Sequence, residues 1–211
     1  MKYARILAIE SATGPTSVAV WDNGRISAYL EDASKTMQSA RLIPMVHQAL
    51  KQSGIGFSQF DALACTVGPG SFTGIRVALA AARGICFAAH IPGLGYTTLE
   101  VLAHGARKQQ AKSPIRVAIS AGKGQYYLQD FTDTQAEPII ANPDAIQVPE
   151  GGLLVTTEHI LDHLQGPSVI RLASPRADLL AEMAAAGIKS QSLSPFYIRP
   201  PDAIPPTKFL A

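Results

Sequence analysis

Charge is scarce in this 211-residue chain: Asp, Glu, Lys and Arg make up only 16% of it, and the formal net charge is +2. Lys and Arg form no run. The basic stripe with which a protein grips nucleic-acid phosphates unaided is therefore missing. Cysteine is scarcer still: Cys65 and Cys86 each sit within an apolar run. Two thiols cannot build a zinc site, and in such surroundings they read as buried and reduced. Long hydrophobic runs are also lacking. The longest apolar stretch, Val77–Ala89, is interrupted by Arg83 and is too short to span a bilayer. No signal-peptide pattern precedes the first strand. These absences point to a cytoplasmic chain and exclude a disulfide scaffold, a membrane span and a self-sufficient RNA binder.

Catalytic signatures are missing as well. There is no Gly-x-Ser-x-Gly elbow. His159 and His163 are four apart, but the intervening Ile160-Leu161-Asp162 lacks the Glu of a zinc protease helix. His47, His90 and His104 are isolated and read as structural. We expect neither a metal site nor a catalytic residue.

Hydrophobic residues are plentiful, at 47%. That suffices for a real core, argues against disorder, and leaves apolar surface for a partner. The first hundred residues show a clear order. Arg5–Glu10, Thr16–Trp21 and Arg25–Leu30 read as strands, the last two joined by the Asn-Gly hairpin signal at Asn23-Gly24. Leu42, Met45, Val46, Ala49 and Leu50 then fall at helical spacing, with Ser39 as cap, Pro44 in the first turn and Gly54 as stop. Ala62–Val67 is a buried strand, Thr73–His90 a helix, Ile91–Tyr96 a strand and Leu99–Arg107 a helix. Three antiparallel strands followed by alternating helices and strands imply an α/β fold, a mixed sheet with helices on its faces. The order resembles one lobe of the actin, hexokinase and Hsp70 superfamily.

After a polar linker at Lys108–Ser113 the pattern weakens. Ile115–Ser120, Tyr126–Phe131, Leu153–Thr156 and Val169–Leu172 read as strands, and His159–Leu164 and Arg176–Ala186 as helices. The stretch Glu137–Gly152 is rich in turns and unassigned. The proline-rich tail, Ser194–Ala211, reads as an extended strap. The expected division is residues 1–107 and a smaller 108–211. No repeat is visible, although the two halves could share a degenerate fold.

Two features carry functional information. The first is Gly68-Pro69-Gly70-Ser71-Phe72-Thr73-Gly74, which links a buried strand to a helix start. Glycines permit close approach, and free helix amides suit an anion. Gly68, Gly70, Ser71 and Thr73 are therefore candidate phosphate-loop residues, with Ser11 and Thr13 of the first hairpin as the facing pair. A tight turn between packed elements is the alternative, and no Walker A Lys follows. The second is the helix Thr73–His90, apolar nearly all round. Val77, Ala81, Gly84 and Ala88 form one ridge of small residues, and Ile75, Leu79, Ala82, Cys86 and Ala89 a second stripe. Such a helix should be covered on both sides, by the Leu42–Leu50 helix or by another chain.

Ile6–Ile9 with Ser11, Ser39–Met45, and above all the string Gly68–Val77 (GPGSFTGIRV) resemble the bacterial TsaB family, also called YeaZ, as does the tail Pro195–Pro200. The match is dense over residues 1–105. The resemblance implies an actin-like ATPase (ribonuclease H-like) fold in two lobes, the second reduced. It implies a non-catalytic subunit working with a catalytic paralogue (TsaD) and an ATPase (TsaE) to transfer threonylcarbamoyl from its adenylate to tRNA adenosine. It implies that the chain meets tRNA only through the complex, pairs with itself when the paralogue is absent, and requires no cofactor, with ATP or ADP allowed at the partner interface. Pairing in the family runs through the first two helices, here Ser39–Ser53 and Thr73–His90. Leu42, Met45, Val46, Val77, Ala81, Gly84 and Ala88 are accordingly the expected interface. The paralogue's two metal-binding histidines correspond here to Thr98 and Leu102. The family's usual Asp is Glu10 here, its frequent His is Gln38, and its Asp-Ala-Arg reads Ser120-Ala121-Gly122. Two other readings compete: a metal- or ATP-dependent enzyme of the same superfamily, peptidase-like or sugar-kinase-like, and a self-pairing regulator.

Overall fold

The computed structural model describes residues 2–34, 38–110, 112–132, 136–157, 164 and 166–199. Two five-stranded sheets share one topology. In the first, β1 (Arg5–Glu10), β2 (Thr16–Asp22) and β3 (Arg25–Asp32) form an antiparallel meander, and β4 (Ala62–Thr66) and β5 (Gly93–Tyr96) run parallel to β1. The order is β3-β2-β1-β4-β5. In the second, β6 (Ile115–Gly122), β7 (Gln125–Phe131) and β8 (Ile139–Ala141) repeat the meander. β9 (Leu153–Thr156) and β10 (Val169–Arg171) repeat the parallel pair, in the order β10-β9-β6-β7-β8. The fold that the two halves could share is thus legible as a common strand order. The short β8 lies in the stretch the sequence left unassigned.

β1 and β4, central in the first sheet, are apolar without alternation because both their faces are covered. Leu7, Ile9, Val18, Val20, Leu63 and Cys65 pack under α1 (Gln38–Ser53) and α2 (Phe72–Ala89). Ile6, Ala8, Ala19, Ala62 and Ala64 pack under α4 (Ala177–Ala185). Small residues on that second face let the Ala-rich α4 lie close. Meanwhile α3 (Thr98–Gln109) seats Leu99, Leu102, Ala103 and Ala106 against Ile115, Val117, Leu153 and Val155 of the second sheet. Each sheet therefore borrows a helix from the other half of the chain. A division at residue 107 separates the sheets but not their cores.

Local signals mostly hold. Asn23 and Gly24 both take positive φ, as the hairpin requires, and the Gly54 amide closes α1 on the Leu50 carbonyl. α1 begins at Gln38, however, so Ser39 lies inside its first turn, and Pro44 falls within the helix beyond that turn. Pro44 is tolerated on the exposed side. α2 reaches 18 residues, longer than its Val77–Ala89 core, and by length and composition alone it is long and apolar enough to cross a bilayer. Its inner residues Ile75, Ala78, Leu79 and Ala82 are nonetheless buried in protein core. Cys65 is buried and Cys86 half-buried, both as free thiols. The expected helix His159–Leu164, apart from Leu164 itself, the His159/His163 pair and the tail beyond Arg199 lie outside the described residues.

Candidate partner face and the glycine-rich loops

α2 starts where Ser71 Oγ accepts the Gly74 amide at 3.2 Å, a cap that satisfies one of the helix's first amides. It ends at His90, whose left-handed conformation stops the helix. Between these caps one side goes into the core. The other side is open: Ala80, Gly84, Phe87 and Ala88 are exposed, Phe87 at 84%. Val77 and Ala81 are half-buried along the edge. Among the described residues, nothing lies within 4 Å of where a Cβ on Gly84 would stand. Beside it, Phe57, Ser58, Gly84, Ile85, Ala88 and Ala89 line an apolar depression of about 430 Å³. The all-round apolar character read from the sequence is thus half answered by the chain's own sheet.

Leu42, Met45 and Val46 do not join this face. They are 1%, 9% and 0% exposed and sit in the core of the first sheet. An amphipathic helix spends its regular apolar stripe on its own sheet, and these three side chains are spent in that core. α1 instead turns Ile43, Pro44 and His47 outward. Phe87 was missed by the sequence reading because it lies on neither small-residue ridge nor core stripe; a lone large aromatic between two such stripes was the available signal.

The two candidate phosphate loops face each other and are closed. The Ser71 amide donates to the Ala12 carbonyl at 2.6 Å, and a Cβ on Gly70 would lie 2.2 Å from that oxygen. Gly70 is the residue that allows the approach. Gly68 gives its carbonyl to the Thr98 amide at 2.9 Å. Ser11 is buried and hydrogen-bonded to Thr16. Thr73 is exposed, while Thr13 Oγ1 is buried without a partner among the described residues. The hairpin amides of Ala12 and Thr13 donate to the buried carboxyl of Glu10 at 2.7 and 3.2 Å. Burial pushes the Glu10 carboxyl up to about 7, against the opposing pull of Thr66 and of those amides. Of the donors around these loops, the amides of Ala12, Thr13, Ser71 and Gly74 are already engaged.

The C-terminal strap crosses the front of these loops. Gln191 bridges to Gly95 of β5, and the Phe196 amide donates to the Val67 carbonyl at 2.8 Å. Tyr197 stacks near Phe72, whose ring carries the Arg76 guanidinium at 3.5 Å. Arg199 donates to the Ala121 carbonyl and to Gln125, at the β6–β7 hairpin. The strap so ties the first sheet to the second. Thr98 and Leu102 are both fully buried, Leu102 against the second sheet. Neither side chain is an imidazole, and no group of three or more His, Cys, Asp or Glu able to hold a metal occurs among the described residues.

Comparison with known proteins places this geometry. The family model described as TsaD, tRNA N6-adenosine threonylcarbamoyltransferase, matches residues 31–197. The chain is 37% identical over 127 residues to the tRNA threonylcarbamoyladenosine biosynthesis protein TsaB of Escherichia coli K12, covering 60% of this chain and 54% of that protein. It is 32% identical over 127 residues to the Haemophilus influenzae protein of the same name, covering 60% and 53%. It thus spans about half the length of the curated relatives it matches. The fold superposes on YeaZ from Pseudomonas aeruginosa with a TM-score of 0.78 at 26% identity, over 92% of this chain and 99% of that one. A second P. aeruginosa structure, described as similar to peptidase YeaZ, gives 0.79 at 26% identity, over 93% and 100%.

Proposed function

The chain belongs to the TsaB (YeaZ) family, within the group matched by the threonylcarbamoyltransferase model, and on that premise we propose that it is a non-catalytic subunit in the formation of N6-threonylcarbamoyladenosine on tRNA. Its role is to hold and activate the catalytic paralogue, TsaD, which performs the transfer from threonylcarbamoyl-adenylate. The single observation carrying this reading is the uncovered apolar face of α2, with Gly84, Phe87 and Ala88 at its centre. A face of that composition on an otherwise well-packed chain is the expected mark of a protein contact. α1 contributes through Ile43, Pro44 and His47 rather than through its buried stripe, and two helices from each partner make a four-helix contact.

The modest charge fits a subunit that meets tRNA through the complex, and a cytoplasmic place for it. The ATPase TsaE belongs to the same assembly, and ATP or ADP is admissible at the interface with TsaD. Without the paralogue, the same face pairs with a second copy. Thr98 and Leu102, which stand where the resemblance puts the paralogue's metal-binding histidines, support the non-catalytic assignment. Mass in solution, measured with and without TsaD, tests the reading: the self-associated species should give way to a one-to-one complex. A chain that stays monomeric under both conditions would refute it, as would turnover of threonylcarbamoyl-adenylate by the purified chain alone.

A further inference from the structure

Glu10 ends β1 with its carboxyl wholly enclosed, and the partner-binding reading makes no use of it. Oε1 receives two successive amides, those of Ala12 and Thr13. Oε2 pairs with the hydroxyl of Thr66 at the end of β4. Successive backbone amides converging on one oxygen form a concave anion site. Enclosing a carboxyl without partners is costly, and so is leaving two enclosed amides without an acceptor. Each group answers the other's need. The same turn also carries the Ala12 carbonyl that receives the Ser71 amide at 2.6 Å, and Ser71 caps α2.

We propose that the turn after β1 is an oxyanion nest filled from within, with the Glu10 carboxyl as its resident occupant in place of a diffusible oxyanion such as phosphate, and that this occupancy sets the start of α2 through Ala12 and Ser71. The two loops then hold their closed arrangement with no small molecule bound. The carboxyl acts as an acceptor at a defined point, not as filler. Gln at position 10 keeps that acceptor, Met keeps only the bulk, and Ala leaves a gap the size of a small carboxylate.

Thermal midpoints of the full chain and its variants, read alongside amide exchange at Ser71, test this. Glu10→Ala should lose several degrees and exchange faster at Ser71. Formate or acetate should restore both saturably, while chloride at equal ionic strength should not. Compared at pH 5, Glu10→Gln should track the wild type, and Glu10→Met should fall with Glu10→Ala. Inorganic phosphate should leave the wild-type midpoint unchanged. Failure of carboxylates to do more than chloride, or a Glu10→Met protein as stable as Glu10→Gln, overturns the proposal. So does a wild type that phosphate stabilises but Glu10→Gln abolishes. Should Glu10→Ala not fold, the Gln and Met variants decide by the same comparison.

Discussion

The Nε of Arg83 donates to the carbonyl of Leu193 at 2.7 Å, so the one charged residue between Val77 and Ala89 is engaged by the C-terminal strap. What remains of the outer face of α2 is small or apolar: Ala80, Gly84, Phe87 and Ala88. A helix presented this way can be approached closely by another helix.

Substitutions on the two sides of the helix pair should separate binding from stability. Gly84→Glu adds a side chain where no described residue lies within 4 Å of the new Cβ, so the thermal midpoint of the free chain should barely move. An unpaired carboxylate in the proposed interface costs several kcal/mol, and affinity for the proposed partner TsaD should fall about a hundredfold or more by calorimetric titration. Leu42→Ala should do the reverse. Leu42 is buried in the chain's own core, so truncation should cost about 2–5 kcal/mol in a urea melt and leave the outer face intact.

Gly70→Ala should disturb the loop pair. The new Cβ would stand 2.2 Å from the Ala12 carbonyl oxygen, a backbone atom with little room to retreat. We expect a loss of about 1–3 kcal/mol in denaturant titration, with the Ser71 amide exchanging faster as its bond to Ala12 lengthens.

Stability should depend on pH through Glu10. Its carboxyl is raised from 4.5 to about 7 by burial, so the folded chain holds this proton over a range where the unfolded chain has released it. The associated stability is therefore full below about pH 4.5, falls as pH rises through about 7, and is flat above. Denaturant melts between pH 5 and 8 should show this decline, and Glu10→Gln should remove its share of the slope. A wild type and variant with parallel pH profiles would contradict the assignment.

Residues 1–107 should not make a stable unit alone. The face formed by Ile6, Ala8, Ala19, Ala62 and Ala64 is covered by Ala177, Leu180, Ala181 and Ala184 of α4. Expressed without the second half, the fragment exposes that face and should aggregate or bind a hydrophobic dye, whereas the full chain should not.

The order of elements through α3 was readable because hydrophobic period, hairpin chemistry and the glycine-rich strand-to-helix link are local signals. So were the strand pairs β6–β7 and the helix at Ala177–Ala185. The role of Leu42, Met45 and Val46 was not: a stripe at helical spacing says that a helix buries one face, but not whether its own sheet or another chain covers it. Local pattern could not place β8 either, since three residues among turns carry too little periodicity.

By itself, the sequence determined the α/β class, the first five strands, the apolar excess of Thr73–His90 and the membership betrayed by Gly68–Val77. Only the tertiary structure decided which side of that helix stays open, that the sheets exchange α3 and α4, and that Glu10 fills the turn beside it. The reason is physical. Periodicity is written in neighbours along the chain, whereas coverage, helix exchange and the meeting of Glu10 with Thr66 depend on residues more than fifty positions apart being brought together by the fold.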